Sequence, residues 1–189
     1  MSNFFAYMSR MKYIKRWSLM RSTTSENIME HSGEVAQIAH ALATIAKTYF
    51  GKSINPDTVG MMGLYHETSE VITGDLPTPI KYYNPEIKSV YKAIEEVAND
   101  KLLGMLPTEI RPNYSALVHP TGYEATLVKV ADKISAYCKC LEEVKSGNGE
   151  FKKAQKSLKA TLDSYDLPEV KYFIDNFIPA YSKTLDELD

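Results

Sequence analysis

Apolar residues recur at helical intervals along nearly the whole of this chain, and no segment alternates convincingly as a strand would. The clearest run is Met29 to Phe50, where Val35, Ile38, Ala39, Leu42, Ala43 and Ile45 follow helical spacing until Gly51 ends it. Ser25 could open the turn that leads into this helix. The same pattern predicts helices over 3–14, 56–73, 85–106, near 108–117, and over 123–145, 150–164 and 169–187. Asn55-Pro56-Asp57 suits a helix start, because proline is tolerated in the first turn. Arg16-Trp17 through Thr24 reads as a polar loop, and Ser146-Gly147-Asn148-Gly149 as a break. Gly74 to Pro79 holds two prolines and a glycine, which predicts a stiff turn and no helix, while Pro179 should bend or break the last helix. The expected fold class is therefore all-α, a compact multi-helix bundle. With 189 residues, no internal repeat and no linker, residues 1–189 are expected to form one domain.

Charge and cysteine content exclude several function classes. Lys+Arg number 22 against 24 Asp+Glu, so the net charge of −2 offers no basic field for a nucleic-acid duplex. No stretch without Asp, Glu, Lys or Arg is longer than Val35 to Ala46, far short of a membrane span. Residues 1–25 contain Arg10, Lys12, Lys15, Arg16 and Arg21 and no acid, as some transit peptides do. The spacing of Phe4, Phe5, Met8, Met11 and Ile14 nevertheless suits a first core helix, and a cytoplasmic location is expected. Cys138 and Cys140 are two apart in a helical pattern, where side chains diverge, so no disulfide is expected between them.

Against this background four groups stand out: His31, His66, Glu67 and Asp132. They are imidazoles and carboxylates set within apolar helical patterns, where burial is costly unless something binds them, and a divalent cation is the usual solution. Glu70, four residues after His66, would differ from it by about 40° on a continuous helix and share its face. His40 follows His31 by nine residues and falls on the opposite side, at about 180°. Read alone, His31 could be an ordinary core histidine, and Asp132 could be answered by Lys129 or Lys133. His66-Glu67-Thr68-Ser69-Glu70 lacks the second histidine of the zinc-protease motif. No glycine-rich phosphate loop and no G-x-S-x-G are present.

The arrangement His31, His66 with an acidic neighbour, then Asp132 resembles the H…HD…D signature of HD-domain phosphohydrolases. A wider set of residues is similar to the YfbR-like bacterial 5′-deoxynucleotidases. It includes Phe4 to Arg10, Arg16-Trp17, Glu26-Asn27, Glu30-His31-Ser32, Tyr65-His66, Ser69-Glu70, Thr73 to Tyr82, and Ala131-Asp132 with Ala136-Tyr137 and Lys139 to Glu143. The resemblance implies an HD-domain bundle that hydrolyses 2′-deoxynucleoside 5′-monophosphates as a homodimer with one divalent ion, such as cobalt, manganese or zinc. It implies metal ligation by His31, His66, Glu67 and Asp132, and catalytic roles for Arg16, Glu70 and Asp75. Arg16, Trp17, His31, Glu67, Asp75, Leu76, Pro77, Thr78 and Asp132 would contact the substrate, with Trp17 walling the sugar pocket. Where the family signature has Asp, this chain has Glu67, a ligand longer by one methylene. An HD-type hydrolase of another nucleotide, or a nucleotide-binding protein with an impaired metal centre, are the alternatives.

Overall fold

The computed structural model describes residues 1–81 and 83–188; Tyr82, the end of the Thr73–Tyr82 block, lies outside them. Among the described residues all regular structure is helical, apart from one antiparallel bridge between Lys15 and Asn27. Helix α1 (Phe4–Met8) continues as a 3₁₀ segment, Ser9–Tyr13. After the 14–27 loop come α2 (Ile28–Phe50), α3 (Pro56–Tyr65), α4 (Glu70–Thr73), α5 (Thr78–Lys81) and α6 (Pro85–Leu103). Next are α7 (Arg111–Val118), α8 (Gly122–Lys145), α9 (Lys152–Asp163) and α10 (Pro168–Asn176), followed by 3₁₀ turns at Ile178–Ser182 and Leu185–Glu187.

The departures from the sequence pattern have local causes. The expected 3–14 helix tightens after Met8, because the chain must leave it to pair with 26–28: Arg16 N–H donates to Glu26 O and Ile28 N–H to Ile14 O, both at 3.0 Å. The cap of α2 is Asn27 and not Ser25. Its amide oxygen accepts from Met29 N and Glu30 N, and Glu30 answers with a carboxylate on Asn27 N, a full capping box. The expected 56–73 helix ends at Tyr65. There the Thr68 hydroxyl donates to Tyr65 O at 2.6 Å, competing with the helical ladder, and helix resumes only at Glu70. Thr78–Lys81 is helical despite the two prolines, since Pro79 sits in a first turn where its missing N–H costs nothing. Helix α6 stops at Leu103, short of 106, and α7 starts at Arg111 with Pro112 in its first turn, later than 108. The terminal helix ends at Asn176, and Pro179 falls in the 3₁₀ turn beyond it.

Helix α2 is the central element, packed against α3, α8 and α10. Its apolar face (Val35, Ile38, Ala39, Leu42) meets Leu127, Val130, Ala131 and Ile134 of α8 in the main core. Each of the buried Val, Ile and Leu side chains contributes about 1.5–3 kcal/mol of transfer free energy. A second cluster joins Phe4, Met8 and Met11 to Ile28, Leu102, Leu106 and Val118. Helix α3 crosses α2 so closely that a Cβ at Gly63 would lie 2.9 Å from Ala36 Cα. Only glycine permits that approach, and it brings the C-terminal end of α3 alongside His31. In the terminal segment Phe173 and Ile178 are buried, with Tyr172 and Tyr181 packed on the core, while Phe177 remains exposed. Cys138 and Cys140 are buried free thiols.

Candidate metal centre

Three elements deliver the four expected ligands to one point. His31 comes from the first turn of α2, His66 and Glu67 from the turn after α3, and Asp132 from the middle of α8. One ligand atom from each lies within 4.8 Å of all the others. His31 Nε2 is 3.1 Å from Asp132 Oδ1 and 3.9 Å from Glu67 Oε1, and His66 Nε2 is 3.2 Å from Glu67 Oε1. The longer side chain of Glu67 therefore still brings its oxygen to the cluster.

The hydrogen bonds on the far side of each ring test whether these residues suit a cation. His66 Nδ1 lies 2.7 Å from Gly63 O, and a carbonyl can only accept, so Nδ1 carries a proton. In the neutral ring Nε2 then presents a lone pair, and this buried atom has no hydrogen-bond partner. His31 Nδ1 faces the Ser135 hydroxyl at 2.9 Å, and Ser135 donates its own proton to Glu34 Oε2 at 2.6 Å. The His31 ring thus also donates from Nδ1. Burial and the Arg16 charge hold His31 below the usual histidine range, which favours the neutral ring. Two imidazole lone pairs converging on two carboxylate oxygens repel one another unless a positive charge lies between them. Two His nitrogens with two hard oxygens suit a divalent transition metal.

Electrostatics divide the acids around this point. With no cation at the centre His66 and Glu67 act as a pair: burial would lower His66, but the charge of Glu67 raises it. Burial would raise the Glu67 carboxyl, but the imidazolium in turn holds it well below the ordinary range. Asp132 is also depressed against its burial, by His31 when a proton on Nε2 bonds Oδ1 and by Lys133, whose ammonium lies 2.6 Å from Oδ2. The Lys133 alternative for Asp132 thus applies to one oxygen only, and the other faces the cluster. Glu70 behaves oppositely. Burial and the charges of Glu67 and Asp75 push it up to about 10, and it hydrogen-bonds Glu67. A cation among the ligands would act in the reverse sense on Glu70.

Glu70 opens α4, and the turn at 66–69 separates it from α3. The shared helix face expected for His66 and Glu70 does not exist; the fold brings Glu70 to Glu67 by a turn instead. Arg16 donates to Glu26 Oε2 at 2.7 Å, and its other terminal nitrogen lies 3.9 Å from Asp132 Oδ1. Trp17 Nε1–H donates to the same Glu26 oxygen at 3.0 Å, and its ring rests against Phe151. Trp17 has φ +60°, a left-handed conformation that costs a non-glycine residue roughly 1–2 kcal/mol. Burial raises the Asp75 carboxyl, with Arg16 and the Trp17 backbone N–H acting against it, so the turn after α4 lies beside the 16–17 segment. Leu76 and Pro77 are half-buried on that turn, and Thr78 is exposed at the start of α5.

His40 stands apart, half-exposed and 3.3 Å from Asp57, and His119 pairs with Glu96. Two open surface depressions, about 670 and 420 Å³, are lined by other residues, including His40 in the first and Arg21 in the second. Several site neighbours escaped the sequence reading. Glu26 anchors both Arg16 and Trp17, Glu34 and Ser135 back His31, and Lys81 pairs with Glu95 while acting electrostatically on Glu67 and Glu70. The three-residue spacings His31–Glu34 and Asp132–Ser135 were the available signal for the second pair.

The family described as 5′-deoxynucleotidase YfbR-like matches residues 3–181. A 5′-deoxynucleotidase of Vibrio atlanticus is 50% identical over 190 residues, spanning 99% of this chain and 98% of its own length. The 5′-deoxynucleotidase YfbR of Escherichia coli is 47% identical, spanning 99% and 96%. Among solved structures, an HD-domain phosphohydrolase from Listeria innocua superposes with a TM-score of 0.83 at 24% identity, covering 95% of this chain and 88% of that one. The cyanophage S-2L HD phosphohydrolase DatZ, bound to dA and one catalytic Zn2+ ion, superposes with a TM-score of 0.61 at 20% identity, covering 92% and 95%. These two likenesses concern the fold. A full-length match at half identity, together with the family match over nearly every residue, shows that this chain belongs to the YfbR-like 5′-deoxynucleotidases.

Proposed function

We propose that this chain hydrolyses 2′-deoxynucleoside 5′-monophosphates to deoxynucleoside and phosphate, with one divalent ion held by His31, His66, Glu67 and Asp132. The observation that carries the reading is the convergence, largely shielded from solvent, of two imidazole nitrogens and two carboxylate oxygens. The activity named for the Vibrio and Escherichia coli relatives, and the dA and Zn2+ of DatZ, support it. Cobalt, manganese and zinc all suit this donor set. With the other histidines paired elsewhere, one ion per chain is expected.

When bound, the cation would supply charge neutralisation for a phosphate dianion and acidify the attacking water. In the overall reaction the water oxygen bonds to phosphorus, the P–O5′ bond breaks, and the 5′ oxygen receives a proton. Arg16, fixed through one nitrogen by Glu26, has further donors for phosphate oxygens in a planar fork. Glu70 sits where it can take the water proton, and its buried setting makes it a strong acceptor once the charge on Glu67 is offset. Asp75 would protonate the leaving oxygen or bind a substrate hydroxyl. His31, Glu67 and Asp132 would also border the phosphate, while Leu76, Pro77 and Thr78 would line the nucleotide. Trp17, pinned by Glu26 and Phe151, would act as a rigid wall against a 2′-hydroxyl; strong deoxy selectivity needs such a wall, because a pocket merely lacking a partner discriminates about 100-fold.

In this reading residues 1–189 act as one domain, since the site draws on residues from Arg16 to Ser135. A cytoplasmic location accords with free buried thiols, and among the described residues no helix is long and apolar enough to cross a membrane. Support for a homodimer comes from α6, where Ile87, Val90, Ile94 and Val97 form an exposed stripe at the spacing of a two-helix seam. Phosphate release from dAMP, dTMP and dGMP with added Co2+, Mn2+ or Zn2+ tests the assignment. Turnover that requires the metal, at about one ion per chain by elemental analysis, is expected. Metal-independent turnover, or none with any of the three ions, would overturn it.

A further inference from the structure

The helix pair that supplies His31 and Asp132 carries another set of polar groups at the same spacing. Glu34 follows His31 by three residues on α2, and Ser135 follows Asp132 by three on α8, so each lies one turn further along. Ser135 is fully buried; its hydroxyl donates to Glu34 Oε2 at 2.6 Å and lies 2.9 Å from His31 Nδ1. A serine hydroxyl has a single proton. Directed at Glu34, at the distance of a charge-assisted bond, that proton leaves only lone pairs for His31. With Glu34 ionised, Nδ1 is then the protonated nitrogen.

The competing tautomer is attractive. With the proton on Nε2, His31 could donate to Asp132 Oδ1 at 3.1 Å, and the two ligands would satisfy each other. That state withdraws both a nitrogen lone pair and a carboxylate oxygen from any cation. His66 is protected from the same fate by a main-chain carbonyl, Gly63 O, whereas His31 depends on two side chains.

We propose that Glu34 and Ser135 are positioning residues that hold His31 with its Nε2 lone pair toward Glu67 and Asp132, and thereby set the cation affinity of the centre. The proposal rests on the metal reading above but concerns residues outside the ligand set. Outer partners of a ligating histidine typically contribute 10–100-fold to metal affinity. Ser135→Ala removes the acceptor outright. Glu34→Gln is nearly isosteric but lets the hydroxyl proton turn toward His31, because its amide can donate to Ser135 instead.

Affinity for Mn2+ is measured on the full chain freed of metal by chelation, for the unmodified protein, Glu34→Gln, Ser135→Ala and the double variant. The expected losses are about 10-fold for Glu34→Gln and about 10–100-fold for Ser135→Ala. The double variant should match Ser135→Ala, since both act through one chain of bonds. Nitrogen-15 correlation spectra of the metal-free protein should show the His31 proton on Nδ1, and its transfer to Nε2 in Ser135→Ala. If Ser135→Ala fails to fold, Glu34→Gln carries the test alone. Affinities within twofold of the unmodified chain, or an unchanged His31 tautomer in the variants, overturn the relay while leaving the metal centre standing. Absence of Mn2+, Co2+ or Zn2+ binding by the unmodified chain overturns both.

Discussion

Shortening Glu67 to Asp, the residue of the family signature, is the most informative single substitution. Glu67 Oε1 now lies 3.2 Å from His66 Nε2 and 3.9 Å from His31 Nε2. Removing one methylene withdraws the carboxylate by about 1.5 Å, one carbon–carbon bond length. The set that now closes within 4.8 Å would then be open on one side. Misplacement on the order of 1 Å can cost ~100-fold in rate. Glu70 would also lose Glu67 as its hydrogen-bond partner, leaving a buried carboxyl unpaired at about 1–3 kcal/mol. Glu67→Asp should therefore lower kcat on dAMP by about 100-fold at fixed Mn2+ and raise the Mn2+ concentration needed for half-activation, with a fall in thermal stability. The assay is phosphate release across a Mn2+ titration, paired with a melting curve. A Glu67→Asp protein as active as its parent, or more so, would refute the reasoning and mark Glu67 as an impaired ligand.

Glu143, buried on α8, accepts from Thr23 N, Thr23 Oγ1, Thr24 N, Lys139 Nζ and Asn148 Nδ2, and these bonds hold its carboxyl well below the usual range despite burial. A depressed folded-state pKa stabilises the fold fully above the unfolded value of about 4.3 and is lost as pH falls below it. Glu143→Gln should lower stability at pH 7 by about 3–5 kcal/mol and flatten the loss between pH 5 and pH 2 in circular-dichroism melts; an unaltered acid slope would contradict this. Trp17→Ala should raise the AMP-to-dAMP rate ratio, and an unchanged ratio would remove Trp17 from discrimination. Val90→Lys combined with Val97→Lys should convert a dimer to a monomer by light scattering, and a dimer surviving both changes would place the contact elsewhere.

The helices were legible because amphipathic spacing is a local signal, and most element positions agree with it. The boundaries were less so, since each is decided by a side chain that competes with the backbone. Asn27 caps α2, two residues after the Ser25 that could open its lead-in turn, and the Thr68 hydroxyl ends α3 before His66. Because α3 ends there, Glu70 reaches Glu67 through a turn and not along a helix face. The four metal-ligand candidates were visible as costly polar groups in apolar surroundings, strengthened by the family resemblance.

The chain alone determined that helices would form, that His31, His66, Glu67 and Asp132 demanded an explanation, and that no duplex-binding field or membrane-spanning helix was at hand. Only the tertiary structure decided which nitrogen of each histidine faces the cluster. That choice depends on Gly63 O, Ser135 and Glu34, which lie against the rings through helix packing. It likewise decided that Arg16 and Trp17 share Glu26, and that Phe173 enters the core while Phe177 stays exposed. Helical periodicity is written into neighbouring residues, whereas a hydrogen bond across 101 or 104 positions exists only once two helices have docked.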